Sequence, residues 1–148
     1  MKLKTRERYS LRMMMCIAKL SSEDHPVGLG KVSQHSGISR RYLEQLVSPL
    51  KHASLLRGIA GRDGGYVLAK KPDAIKLGDI ITAAIGEIAV TDCAIGKGAC
   101  KSGELCNCKS LWTLINHRIT ETLNDHSLAD LLRDDWNSVV QREMAHGH

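Results

Sequence analysis

No phenylalanine occurs in the 148 residues, and the only aromatic side chains besides histidine are Tyr9, Tyr42, Tyr66, Trp112 and Trp136. A core must therefore come from Leu, Ile, Val, Met and Ala. Isolated aromatics without interleaving basic residues also argue against a stacking surface for single-stranded nucleic acid. No apolar run approaches the roughly 20 residues of a membrane helix. The N-terminus, Met1-Lys2-Leu3-Lys4, lacks the apolar stretch and cleavage site of a secretory signal. A cytoplasmic protein without membrane association is expected. Missing too are a CxxC pair, a general base with a substrate-pocket signature, and the Lys-Ser/Thr that would make a phosphate loop of the glycines near residue 61. An enzyme is not expected.

What is present is basic and unevenly spread. Net charge is +5. Residues 1–90 hold 15 Lys and Arg against 8 Asp and Glu, whereas residues 91–148 hold 6 against 8. A basic front with a slightly acidic back suits a polyanionic partner for the front alone. Hydrophobic residues at 43% and charged residues at 25% are ordinary globular values. Of five cysteines, Cys93, Cys100, Cys106 and Cys108 fall within 16 residues. In a reducing compartment such a group suits a metal or redox site better than a disulfide framework.

The periodicity predicts a helix over residues 5–20, with Tyr9, Met13, Cys16, Ile17 and Leu20 on one face. Cys16 reads there as a small buried hydrophobe. A short helix from Leu29 to His35 is closed by Ser36-Gly37, and Ser39 reads as the N-cap of another helix running to about Lys51. Tyr42, Leu43, Leu46 and Leu50 stripe that helix, and Pro49 should distort its last turn. Helix, glycine turn and helix make a helix-turn-helix pattern. Leu55 to Ala60 and Tyr66 to Ala69 read as strands joined by Gly61-Arg62-Asp63-Gly64-Gly65, a hairpin with a basic tip. The combination is a winged helix. Leu77 to Ile85 form a further helix ending at Gly86. Residues 91–108 lack a helical or strand pattern, and something other than packing is expected to order them. A helix resumes from Ser110 to Leu123, with Leu111, Leu114, Ile115 and Ile119 in register. A last continuous helix is expected after Ser127, which forms a capping-box pattern with Asp130.

The residues with chemistry sort into two groups. Ser39, Arg40, Arg41, Tyr42, Glu44 and Gln45 would stand at the start of a recognition helix. There Arg pairs with guanine, Gln with adenine, and Glu accepts from cytosine. Arg62 at the wing tip and Lys4, with Lys2, Arg6, Arg8 and Arg12, suit phosphates instead. In the cysteine loop, the gap from Cys93 to Cys100 is wide for a zinc knuckle, and Cys106-Asn107-Cys108 is tight. An iron–sulfur core spreads its ligand positions and tolerates such a loop. Zinc and bare redox thiols stay open on spacing alone.

The chain resembles the Rrf2 family of winged-helix regulators over nearly its whole length. The resemblance is carried by Arg8-Tyr9, Gly37-Ile38-Ser39, Tyr42-Leu43-Glu44-Gln45, Gly64-Gly65-Tyr66 and Ile75-Lys76-Leu77-Gly78-Asp79-Ile80. It continues through three loop cysteines before Leu111-Trp112, and Leu128-Ala129-Asp130-Leu131. It implies a dimeric repressor or activator with a long helix crossing to its partner. It also implies that Cys93, Cys100 and Cys106 ligate a cluster, and that Glu44 and Gln45 lie at the DNA face near Arg40 and Tyr42. Departures are visible. Where some members carry a ligating His three residues after the last of these cysteines, Lys109 stands here, and Cys108 is the substitute. Another branch takes a carboxylate from the partner's N-terminus, where Glu7 lies. Ala60 replaces an Arg often found in the wing, which passes that role to Arg62.

The fold expected is therefore mostly α with a small β-hairpin wing. Residues 1–86 form a winged-helix DNA-binding domain, 87–109 a cysteine-rich cluster loop, and 110–148 a dimerisation helix with a C-terminal helix. The function expected is sequence-specific transcription regulation by a homodimer on a palindromic double-stranded operator. Affinity would be set by an iron–sulfur cluster, [2Fe–2S] in preference to [4Fe–4S], on Cys93, Cys100, Cys106 and Cys108, with the partner's Glu7 the alternative fourth ligand. The alternative function is a cluster-free regulator of the same fold, controlled through a thiol or a partner protein.

Overall fold

Met13, Met14 and Ile17 recur at helical spacing and are fully buried on α1 (Thr5–Leu20). The buried stripe runs Ser10, Met13, Met14, Ile17, so Tyr9, Cys16 and Leu20 flank it half-buried instead of centring it. Ser10 is tolerated there because its hydroxyl donates to the Arg6 carbonyl at 2.7 Å. This is a computed structural model, and it describes residues 3–98 and 106–147.

Local chemistry sets the helix-turn-helix. α2 (Leu29–Ser36) ends at Gly37, whose φ of +71° is the left-handed conformation that terminates helices. Ser33 Oγ donates to the Ile38 carbonyl at 2.6 Å, and Ile38 N–H donates to Ser36 Oγ at 3.2 Å, which fixes the turn. Ser39 Oγ then accepts the Tyr42 N–H at 3.2 Å as the N-cap of α3 (Arg40–His52). Leu43, Leu46, Val47 and Leu50 face the core from α3. Pro49 does not end the helix early. Its ring removes one donor near the C-terminus, and α3 continues to His52.

β1 (Leu56–Ile59) and β2 (Gly65–Leu68) form an antiparallel hairpin with Leu56 opposite Leu68 and Ile59 opposite Gly65. Val27 adds a bridge to it, exchanging both backbone hydrogen bonds with Tyr66 at 2.9 and 3.0 Å. A Cβ on Gly65 would run into the Val27 carbonyl, so this approach requires glycine.

α4 (Leu77–Ile85) packs mainly on α1 and α3, burying Leu77, Ile80, Ile81 and Ala84. Gly78 lets α4 approach α5 (Cys108–Asp125), because a Cβ there would meet the Asn124 side chain. No residue of α5 is buried. After it, Ser127 and Asp130 make the expected reciprocal cap, with hydrogen bonds of 2.8 and 3.3 Å, opening α6 (Leu128–Leu131). The Ser127 N–H, the largest cause, and the Ser127 hydroxyl both donate to the Asp130 carboxyl and hold it below its ordinary pKa. Leu128 is fully buried and its N–H donates to the Ile75 carbonyl at 2.8 Å, so this segment joins the winged-helix core.

The last helix is not continuous as expected. The chain breaks at 132–135 and resumes as α7 (Trp136–His146). Arg133 turns back on Asp135 through two hydrogen bonds of 2.8 and 2.9 Å, and the polar run Arg133-Asp134-Asp135 has no apolar residue to hold a helix against the core. His126 instead ties α7 back, with Nε2 3.0 Å from Glu143 and its ring edge-on to Trp136.

Candidate functional site

The N-cap and first two turns of α3 present Ser39, Arg40, Arg41, Glu44 and Gln45 to solvent, with Tyr42 half-buried beside them. Arg40 and Glu44 pair along the helix at 3.4 Å, both exposed. An exposed i,i+4 pair of this kind is weak and yields readily to a stronger partner. Arg62 is exposed at the wing tip and Lys4 just ahead of α1.

Behind the recognition helix lies an arrangement the sequence reading did not assemble. The Tyr9 ring meets Tyr42 edge to face, with centroids 5.5 Å apart. The Arg12 guanidinium lies 5.4 Å and that of Arg8 6.0 Å from the Tyr9 ring centre. Arg12 also donates to the Ser36 carbonyl at the end of α2, at 3.4 Å. One tyrosine thus gathers two exposed cations beside α3. The sequence signal was the Arg8-Tyr9…Arg12 spacing, which puts all three on neighbouring positions of one helix. Arg6 separates from this set, because its Nε donates to the Ala84 carbonyl at 2.6 Å and joins α1 to the end of α4.

The cysteine loop is more ordered than its sequence implies. A 3-10 turn, Asp92–Ile95, carries Cys93 and docks on α5. Val90 N–H donates to Asn116 Oδ1 of α5 at 2.9 Å. Lys97 closes the arm twice, through its N–H to the Asp92 carbonyl at 2.9 Å and its ammonium to Glu87 at 2.7 Å. Packing on α5, joined by these hydrogen bonds, therefore orders this part of the loop, where something other than packing was expected to do so. Cys93 is half-buried, with Sγ 3.2 Å from Thr91 Oγ1.

Cys106 is half-buried just ahead of α5. Cys108 is exposed and is the first residue of that helix, not part of a freely bending loop. Cys100 lies outside the described residues. Among the described residues, no three Cys, His, Asp or Glu side chains converge on one point. The donors still fit an iron–sulfur group chemically. Cys93, Cys106 and Cys108 are free cysteines, sulfur being the donor that iron–sulfur groups take, and the latter two sit at the N-terminal end of an 18-residue helix, whose dipole suits an anionic core. Cys16 is set apart on α1, where burial pushes its thiol pKa up against the opposing pull of Lys19 and Arg12.

Glu7 is 6% exposed within its own chain, and its Oε2 is buried without a hydrogen-bond partner. Such an atom carries a desolvation penalty that no hydrogen bond among the described residues offsets.

A family model described as Rrf2, iron-dependent transcriptional regulator, matches residues 3–134. The chain belongs to the Rrf2 family. It is 39% identical to the HTH-type transcriptional regulator IscR of Erwinia tasmaniensis, over 95% of this chain and 84% of that one. Among solved structures, CymR, the global cysteine regulator of B. subtilis, superposes with a TM-score of 0.74 at 37% identity, covering 89% of this chain and 96% of that one. IscR of T. potens superposes with a TM-score of 0.74 at 32% identity, covering 93% and 90%. This Rrf2 chain is a winged-helix, DNA-binding transcription regulator and not an enzyme. No helix among the described residues is long and apolar enough to cross a membrane.

Proposed function

We propose that this Rrf2 regulator binds a palindromic operator as a homodimer and that an iron–sulfur cluster on Cys93, Cys100 and Cys106 sets its affinity. Cys108 serves as fourth ligand, with Glu7 of the partner subunit as the alternative, and a [2Fe–2S] core is preferred to [4Fe–4S]. The observation that carries this reading is the preformed arm. Cys93 is held on α5, while Cys106 and Cys108 lead into the same helix. The iron dependence in the family description supports it.

In this reading Arg40, Arg41, Glu44 and Gln45 meet base edges, with Ser39 and Tyr42 setting the helix entry. Lys4, Arg8, Arg12 and Arg62 meet phosphates. Leu111 and Leu114, 50% and 53% exposed on α5, supply the apolar dimer stripe. Because the cysteines and this stripe share α5, gaining or losing the cluster biases the helix that sets the spacing of the two DNA heads. The effect on DNA equals the difference in affinity between the two states.

A second reading has its own support. CymR, a cysteine regulator by description, shares the fold, and this reading places control in a bare thiol or a partner protein. Counting iron and sulfide per chain after purification without oxygen separates the two. The cluster reading expects near-stoichiometric iron with matching sulfide, and iron-free protein that still binds its operator favours the second.

A further inference from the structure

Two side chains near the cysteine loop are not among the ligands assigned above. Thr91 Oγ1 lies 3.2 Å from Cys93 Sγ, and Asn116 Oδ1 accepts the N–H of Val90, the residue before Thr91. They act in series. Asn116 holds residue 90 on α5 across 26 residues of sequence. The Thr91 carbonyl accepts the Ala94 N–H at 3.1 Å, closing the turn that carries Cys93. The Thr91 hydroxyl is thereby aimed at the sulfur. A free thiol leaves the donor in this contact ambiguous. A metal-bound thiolate has no proton to give, so the hydroxyl must donate.

We infer that Thr91 and Asn116 are positioning residues for a cluster bound at Cys93: Asn116 fixes the register of the ligand arm on α5, and the Thr91 hydroxyl hydrogen-bonds the coordinated sulfur. This rests on the cluster reading above. A hydrogen bond to a ligating sulfur withdraws electron density from it. It therefore favours the reduced, more negative state and raises the reduction potential. The two residues divide the work, Asn116 governing retention and Thr91 governing potential.

The test uses full-length protein purified without oxygen, as wild type, Thr91→Val, Thr91→Ser and Asn116→Leu. Iron per chain, midpoint potential and the Fe–S stretching frequencies by resonance Raman are read on each. Val is close to Thr in shape and lacks the hydroxyl. Thr91→Val is expected to keep its iron while its redox equilibrium shifts several-fold toward the oxidised state, a tenfold shift being 59 mV for one electron, with altered Fe–S frequencies. Thr91→Ser should restore the wild-type values. Asn116→Leu should lose iron several-fold faster under a chelator. In its iron-free form, amide exchange at residue 90 should accelerate, a readout that needs no cluster. An iron-loaded wild type whose potential and frequencies are unchanged in Thr91→Val overturns the role of Thr91. Unchanged iron loss and unchanged exchange in Asn116→Leu overturn that of Asn116. An iron-free wild type overturns the cluster reading and this inference together.

Discussion

The rings of Tyr9 and Tyr42 meet edge to face at 81°, which couples the first helix directly to the recognition helix. Tyr9 also lies beneath Arg12, so one residue orients both α3 and an exposed cation, the helix and the side chain to which the proposed function gives base and phosphate contacts. Tyr9→Leu should cost about 0.5–1.5 kcal/mol of stability from the lost aromatic pair. It should also weaken binding to operator and random DNA together, while Tyr9→Phe keeps both. Chemical denaturation and fluorescence anisotropy measure the two effects. Unchanged DNA affinity in a folded Tyr9→Leu protein would remove the Tyr9–Tyr42 contact from the account of DNA binding.

Arg40 and Arg41 stand exposed at the start of α3, and each change to Ala should cost roughly 1–3 kcal/mol on the operator and relax preference at one base pair. Lys4→Ala should weaken all sequences alike and lower the salt slope by about one. Arg6→Ala should act on folding instead, since Arg6 is bonded to the Ala84 carbonyl. Equal losses on operator and random DNA for Arg40, Arg41 and Lys4 would dislodge α3 from the groove.

Leu114 is half exposed in the single chain, so replacing it should leave the protomer folded. Leu114→Asp should place an unpaired charge in the proposed interface. Sedimentation should then report a monomer with wild-type helical content. A stable Leu114→Asp dimer would put the interface elsewhere.

Glu7 carries a buried carboxyl oxygen that has no hydrogen-bond partner among the described residues. With Cys108 as fourth ligand, Glu7→Met should keep its iron and stabilise the iron-free protein by roughly 1–3 kcal/mol through relief of that penalty. Cys108→Ala should lose iron, as should Cys93→Ala, Cys100→Ala and Cys106→Ala, whereas Cys16→Ala should keep it. Iron lost with Glu7→Met but retained with Cys108→Ala would hand the fourth position to Glu7 of the partner subunit.

The features legible in the sequence are those written by neighbouring residues. Gly37 and Ser39 mark the turn and cap of the helix-turn-helix, the glycines from Gly61 to Gly65 mark the wing, and Ser127 with Asp130 marks a helix start. What escaped depends on distant partners or on side chains that override periodicity. The cysteine arm is held by Asn116, and Arg6 is occupied by a carbonyl 78 residues away, neither of which any local pattern encodes. The break after α6 follows from Arg133 folding onto Asp135, a contact invisible to a count of apolar positions. The α5 helix begins at Cys108 and not Ser110, because Cys108 and Lys109 offer no apolar periodicity to mark its first turn.

The central claim is that cluster state sets operator affinity, and it is tested most directly by titrating one DNA duplex with one protein preparation before and after its cluster is removed anaerobically. Random DNA at the same salt serves as reference. The account predicts an operator affinity that changes tenfold or more, about 1.4 kcal/mol, while random-DNA binding stays constant. Identical operator affinities for the iron-loaded and iron-free forms would contradict it.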